Sequence, residues 1–295
     1  MKLGLGTAQF GMSYGISNRS GQTADEEVRD ILRLAAERRI RVIDTAPGYG
    51  SSEEAIGRAL PTRDREFLIV TKTPQFRAQF VSEIEANLLE STFRESLGRL
   101  KCRVAYGLLV HYAKDLLVAG SDLIWNRMKQ LKACGLVNKI GVSVYHPAEA
   151  EELIERRDLD LIQVPINVLD QRFLNSGCLK GLAQRGVEIH ARSVFLQGLL
   201  LMNPDDLSNH FDTVKPVLRL FQQFCREQGI SGVDAALGFV SRLPEISAVI
   251  CGVNNSAQLI DLIEAGQRAP SLDFSGFAFE DLRIIVPSLW PAGIA

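Results

Sequence analysis

Four side chains in the first part of the chain are of the types that a proton-transfer site needs. Asp44 ends the apolar run RVID, Lys72 follows FLIVT, and His111 follows YGLLV. Tyr49 lies between the first two, in the loop PGYG. Taken singly, each has an ordinary explanation. A strand-end Asp caps a loop, a Tyr in a Gly-Pro loop packs on the surface, a Lys makes an ion pair, and a His satisfies a local hydrogen bond. Their recurrence at matching ends of three successive strand–loop units argues instead for one site. An acid, a phenol, an amine and an imidazole meeting at one end of a barrel would transfer a proton.

Positioning these groups requires strands whose ends coincide. Short, mostly apolar runs recur at 3–7, 41–44, 67–71, 106–110, 140–144, 161–164, 187–191 and 248–252. They lack clean alternation, as strands buried on both faces do. Helical patterns fill the gaps, at 24–38, from Ser51 to Leu60, and at 82–100, 121–134, 147–157, 175–185, 213–228, 232–242 and 256–265. The first places Val28, Ile31, Leu32 and Ala35 on one face. Thr23 with Glu26, and Ser51 with Glu54, read as capping boxes. The helix at 82–100 is the longer one, with Ile84, Leu88, Phe93 and Leu97 as its apolar residues. Pro147 reads as a first helical residue, and Gly266 as the close of the last long helix. A short polar turn is expected at 61–66. A further helix is expected in FEDLRIIV, and irregular chain in PSLWPAGIA.

Alternating strands and helices imply parallel strands joined by helical crossovers. Eight such units predict an α/β protein, a (β/α)8 TIM barrel forming a single domain over 1–295. A doubly wound open sheet is the alternative, but no GxGxxG follows the first strand. The one long interruption, 192–212, follows the seventh strand and is expected over the face that builds barrel sites.

Bulk properties narrow the partners. The chain has 295 residues, 46% hydrophobic and 23% charged, with net charge −2. No basic face is implied, so nucleic acid is not an expected partner. No apolar run approaches the ~18 residues of a membrane span. The opening MKLGLGTAQFG lacks the apolar core of a signal peptide, so a cytoplasmic location is expected. A monomer or weak homo-oligomer is expected. The five cysteines stand singly with no CxxC, and the four histidines are too far apart for a metal helix. Reduced thiols in or near the core and no metal site are the expectation.

With these motifs in place, the chain resembles the aldo-keto reductase superfamily over nearly its whole length. IDTAPGYGSSEEAIGRAL resembles the family's opening signature, and VTKT and LLVHYA its lysine and histidine segments. The resemblance implies NAD(P)H-dependent carbonyl reduction, with Asp44, Tyr49, Lys72 and His111 as the catalytic tetrad. Hydride would pass from nicotinamide C4 to the carbonyl carbon of a small-molecule substrate, and Tyr49 would protonate the oxygen. A lysine ammonium ~4 Å away, worth ~4 kcal/mol at an effective dielectric of ~20, would lower the phenol's pKa from its ordinary ~10. Asp44 would hold Lys72 charged, and His111 would donate a hydrogen bond to the carbonyl oxygen.

The same resemblance implies the cofactor contacts. Ser143 and Gln163 would meet the nicotinamide carboxamide, with Val144 standing where the family carries Asn and Asn167 following in the next loop. Arg192 occupies the place of a stacking aromatic, and a guanidinium plane can stack likewise. Ser193, Gln197, Gly198 and Leu199 would embrace the pyrophosphate. Gly6 and Thr7, at the end of the first strand, belong to the cofactor set. So do Gly252, Asn254, Asn255 and Gln258, beside a helix start near Asn255 and Ser256 suited to phosphate. Gly252 and Gln258 replace basic residues of many members, and no Lys or Arg lies between 252 and 260. NADPH is the expected cofactor on the family's habit, with NADH possible. Gln9, Phe10, Tyr14 and Tyr112 are pocket candidates, with Val144 and Phe173 beside them. The opening GTAQFGMSYGISN resembles bacterial members acting in polysaccharide-sugar metabolism, a pointer to hydroxylated carbonyls. Two rival readings remain. One is a Schiff-base lyase using Lys72, and the other a nicotinamide-binding sensor or regulatory subunit.

Overall fold

In a computed structural model, described for residues 2–60, 67–268, 271–291 and 293–294, eight parallel strands close into a barrel. The strands are β1 Leu3–Gly6, β2 Val42–Asp44, β3 Leu68–Lys72, β4 Ala105–Val110, β5 Val137–Ser143, β6 Leu161–Pro165, β7 Glu188–Arg192 and β8 Ala248–Gly252. They pair in chain order, and β1 closes on β8 with Leu5 opposite Cys251 and Gly6 opposite Gly252. Nine longer helices described around them are α1 Asp25–Glu37, α2 Ser52–Ala59, α3 Glu83–Arg99, α4 Asp122–Ala133, α5 Pro147–Arg156, α6 Cys178–Gln184, α7 Lys215–Glu227, α8 Gly232–Ser241 and α9 Ser256–Arg268. This is the expected (β/α)8 barrel. The polar turn expected at 61–66 lies outside the described residues.

Period two along the strands decides which side chains enter the barrel. Val70, Leu109 and Leu161 pack together as a small apolar cluster of their own. The registers put Asp44, Lys72, Ser143, Gln163 and Arg192 in the same alternate set, toward the C-terminal ends of their strands, with Asp44 opposite Val70 and Lys72 opposite Leu109. The larger core lies between strands and helices, where Val28, Ile31, Leu32 and Ala35 of α1 are all buried.

Several local expectations fail for tertiary reasons. Thr23 does not cap α1. Its hydroxyl donates to the Asn254 carbonyl at 3.3 Å, and Ala24 takes the cap position. Ser51 stands at the start of α2 without a side-chain cap bond, its hydroxyl accepting from Gln22 Nε2 at 3.0 Å. Working capping boxes form at Ser82 with Glu85 and Ser231 with Asp234. Gly266 lies inside α9, which continues to Arg268. On α3 the buried stripe is Ala86, Leu89, Phe93 and Leu97, while Ile84 and Leu88 are 74% and 48% exposed. The segment 192–212 is less irregular than expected, containing 3-10 turns at Leu196–Leu201, Pro204–Asp206 and Asn209–Phe211. The tail helix shrinks to one turn, Leu282–Ile285, and a 3-10 turn follows at Pro287–Leu289. Trp290 pins that tail by donating from Nε1 to the Ile284 carbonyl at 2.9 Å. Among the described residues no helix is long and apolar enough to cross a membrane, and no cluster could hold a metal ion. Among the described residues no disulfide joins the five cysteines. Cys178, Cys225 and Cys251 are buried, Cys102 is half-buried, and Cys134 is exposed rather than in the core.

Candidate active site

The C-terminal mouth of the barrel is built on a buried carboxylate. Asp44 Oδ2 accepts from Lys72 Nζ at 2.7 Å, and Asp44 Oδ1 accepts from Gln163 Nε2 at 2.8 Å. Strands β2 and β6 are not neighbours, so this second bond crosses the barrel interior. Lys72 also donates to the Thr45 carbonyl at 2.9 Å, and its side chain is 1% exposed. Removing both charges from water is costly, and the close pairing with further hydrogen bonds offsets that cost. Gln163 was expected at a carboxamide. Here its amide nitrogen is committed to Asp44.

Tyr49 and His111 lie above this pair. Lys72 Nζ is 4.8 Å from the centroid of the Tyr49 ring. The Tyr49 and His111 rings meet edge to face at 5.9 Å and 87°. The Tyr49 loop is anchored by backbone contact with the β1 loop, where the Gly11 carbonyl accepts from Ser51 N at 3.3 Å. Two glycines permit that approach. A Cβ on Gly11 would stand 1.8 Å from the Tyr49 carbonyl oxygen, and one on Gly50 2.2 Å from the Gly11 oxygen. Gly50 also has φ +57, which disfavours a side chain. On the other side, Thr73 Oγ1 accepts from the His111 backbone N–H at 3.2 Å.

The electrostatics differ from the sequence expectation. Burial first, then Asp44, hold the Tyr49 phenol above its ordinary range, and Arg192 opposes them. The expected lowering by Lys72 does not dominate, because Asp44 neutralises that ammonium within 2.7 Å. Burial pushes the Lys72 amine below its usual value, and Asp44 counteracts this. Burial also pushes His111 down to about 3, reinforced by Lys72, Arg192 and Arg77, so the imidazole is neutral. Tyr49 is therefore a protonated phenol beside a neutral imidazole.

The rim is polar and cationic. Arg192 lies 4.4 Å from the Tyr145 ring centroid, donating to the Val144 carbonyl at 2.9 Å and to Ser193 Oγ at 3.2 Å. Its stacking partner in the chain is thus Tyr145, a residue that sequence reasoning missed. The signal was an aromatic two residues beyond Ser143 at a strand end. Arg77 stacks 5.2 Å from the Tyr112 ring. Among the described residues neither arginine pairs with a carboxylate. Tyr14 is 38% exposed as a residue, but its phenol lies near Tyr49, Tyr145, Arg192 and Lys72, and desolvation there chiefly holds it above its ordinary range.

Two loops flank this centre. In the loop after β7, Ser193, Leu196 and Gln197 take φ +61, +49 and +55, and Gly198 takes +94. Ser17 of the β1 loop donates to the Gln197 carbonyl at 3.4 Å. A Cβ on Gly198 would stand 1.9 Å from Ser17 Oγ, so glycine lets the two loops meet. After β8, Gln9 lies against Gly252, where a Cβ would stand 2.6 Å from its amide. Asn254, Asn255 and Gln258 bond to one another around the start of α9. Gln197 Oε1 and Asn254 Oδ1 are buried acceptors without a donor among the described residues. Such oxygens suit a ligand bearing hydroxyl or amide donors, as a dinucleotide does. Ser143, opposite Gln163 in register, is at hand for the same ligand.

Other candidates fall outside the centre. Phe10, Phe173, Val144 and Leu199 are 0% exposed and pack in the core, so their side chains do not line an open pocket. Val144 contributes its carbonyl instead, to Arg192. Thr7 is buried and donates to the Asp44 carbonyl at 2.8 Å, beside Gly6 at the same strand end. Asn167 folds its own loop, its Oδ1 accepting from Leu169 and Asp170 N–H, both at 2.9 Å.

Comparison with known proteins gives a consistent picture. The family model described as "Aldo/keto reductase family" matches residues 2–273. An aldo-keto reductase of Mycolicibacterium vanbaalenii is 30% identical over 189 residues, 62% of this chain and 64% of that protein. A D-threo-aldose 1-dehydrogenase of a Pseudomonas species is 26% identical over 86% of this chain and 88% of that protein. The solved aldo-keto reductase AKR11C1 from Bacillus halodurans superposes with TM-score 0.73 at 19% identity, covering 95% of this chain and 94% of that one. That last likeness speaks to the fold alone.

Proposed function

The chain belongs to the aldo/keto reductase family and is an oxidoreductase, and from that premise we propose that it reduces an aldehyde or ketone to an alcohol with protonation by Tyr49. The observation that carries this reading is the stacked arrangement of a buried Asp44–Lys72 pair beneath the Tyr49 and His111 rings. When bound, with Ser143 and the Gln197 and Asn254 side-chain oxygens as its holding groups, a reduced nicotinamide dinucleotide would supply hydride for the carbonyl carbon. The chain's own residues handle the oxygen. Neutral His111 donates a ring N–H to it and fixes its position. Tyr49 gives it the phenolic proton as negative charge develops there. Lys72, held by Asp44 and the Thr45 carbonyl, and Arg192 stabilise the tyrosinate left behind. Preorganised charge at the developing oxyanion is the strongest contribution such a site can make to the rate. The polar rim of Tyr14, Arg77, Tyr112 and Arg192 suits a hydroxylated carbonyl, in line with the aldose that names the Pseudomonas relative.

The Schiff-base reading is less well supported, because Lys72 is buried and its ammonium is engaged by two oxygens. Nucleophilic attack needs a free, deprotonated amine that substrate can reach. The discriminating experiment is Tyr49→Phe. Turnover of a polar aldehyde is expected to fall by at least ~10²-fold, within the range for loss of a general acid, while dinucleotide affinity stays within a few-fold. Turnover near the wild-type rate would remove Tyr49 from the role of acid. Tight dinucleotide binding with no turnover of a broad aldehyde panel by the wild type would favour a sensor.

A further inference from the structure

The start of α9 bears on which dinucleotide the site takes, a question that rests on the reductase reading above. Free N–H groups at a helix start attract phosphate. In barrels, the loops after strands seven and eight with such a helix commonly form a phosphate site. Here α9 begins just beyond β8, but its start is already engaged. Glu27, on α1, accepts a hydrogen bond from the Ser256 backbone N–H at 2.5 Å. Asn255 Oδ1 accepts from Gln258 N–H at 2.9 Å, and Gln258 Oε1 from Asn254 N–H at 2.8 Å. Asn254 Oδ1, in the same turn, is a buried acceptor with no donor among the described residues. No Lys or Arg occurs from 252 to 260.

The turn thus combines a carboxylate with an acceptor awaiting a donor, and its sequence provides no cation. A ribose 2′-hydroxyl can donate to such acceptors. A 2′-phosphate, dianionic near neutrality, can only accept, and a carboxylate repels it. Acidic side chains favour the free hydroxyl and arginines the phosphate wherever dinucleotides are sorted this way.

We propose that Glu27 is a specificity-determining residue that selects NADH over NADPH, by keeping a carboxylate at the start of α9 where a 2′-phosphate would have to be received. The geometry does not require Glu27 to touch the reacting atoms. It acts on affinity, not on the chemical step.

Titration of NADH and NADPH fluorescence on the intact protein tests this without turnover. Wild type is expected to bind NADH at least tenfold more tightly than NADPH. Glu27→Gln keeps the shape and an acceptor for Ser256 but removes the charge. It is expected to cut the NADH preference at least tenfold, mainly by tightening NADPH, with a smaller change at high salt. Glu27→Ala is expected to move the preference in the same direction. Glu26→Gln removes an exposed charge one residue earlier and is expected to leave the preference within twofold. A wild type that prefers NADPH, or a preference unmoved by both Glu27 substitutions, overturns the role of Glu27 while leaving the reductase reading standing. Binding of neither dinucleotide to the wild type overturns both.

Discussion

Gly11→Ala tests whether the Tyr49 phenol, the proposed proton donor, is placed by a backbone contact far from it in sequence. The added Cβ would meet the Tyr49 carbonyl oxygen at 1.8 Å, Ser52 N at 2.3 Å and Ser51 N at 2.8 Å. All three are backbone atoms, so no rotamer change relieves the clash. Restoring ordinary contact near 3.4 Å requires the β1 loop and the Tyr49 loop to part by about 1.6 Å. Tyr49 rides on the displaced loop, while Lys72 and His111 ride on β3 and β4 and stay behind. A misplacement of ~1 Å at a catalytic group costs about 10²-fold, and overpacking costs about 1–3 kcal/mol of stability. The expected result is a loss of kcat of about 10²-fold or more, with dinucleotide affinity retained and a melting temperature lowered by a few degrees. Steady-state kinetics, fluorescence titration and thermal melts on one preparation separate these effects. Wild-type kcat together with an unchanged melting temperature would refute the contact and its role in placing Tyr49.

Asp44→Asn leaves the Lys72 ammonium buried without a counter-charge. A loss of about 3–5 kcal/mol in urea unfolding, with collapse of turnover, is expected, and a loss below ~1 kcal/mol would mean that the pair is not buried as described. The depressed His111 pKa has a definite sign for stability. Its folded value of about 3 lies below the ordinary unfolded value, so the unfolded chain binds more protons in between. The contribution is fully present above the unfolded pKa of ~6.5 and is lost progressively as pH falls toward 3. His111→Gln should therefore flatten the pH dependence of the melting temperature between pH 6.5 and 5, and an unchanged slope would place the acid sensitivity elsewhere.

Much of the barrel is legible in one dimension because burial and period act locally. Each strand buried on both faces reads as an apolar run, and the polar residue that ends it marks the mouth. Asp44, two residues past Val42, and Lys72, two past Val70, follow the barrel-facing alternation, so their convergence could be anticipated without coordinates. Tyr49 and His111 follow from the same ends. Amphipathic periodicity likewise located α1, because the inward face of a helix depends on residues one turn apart.

Other assignments depended on neighbours that sequence distance conceals. Thr23 has the local pattern of a helix cap, yet the closure of β1 on β8 brings the Asn254 carbonyl within its reach, and the hydroxyl goes there. Gln163 binds Asp44 across the barrel, 119 residues away, because both enter the same interior layer. Arg192 finds Tyr145 and the Val144 carbonyl only when β5, β6 and β7 lie side by side. Phe10 has a pocket-like position after β1, but the short turn Ala8–Gly11 buries its ring. Glu27 belongs to a run of three acids that opens an ordinary helix, and only the packing of α9 against α1 brings it to Ser256. Sequence alone determined the order of the elements and the types of group at the strand ends, since those depend on local hydrophobic period. The tertiary structure decided which polar group answers which, because closing a barrel makes neighbours of residues that no local pattern relates.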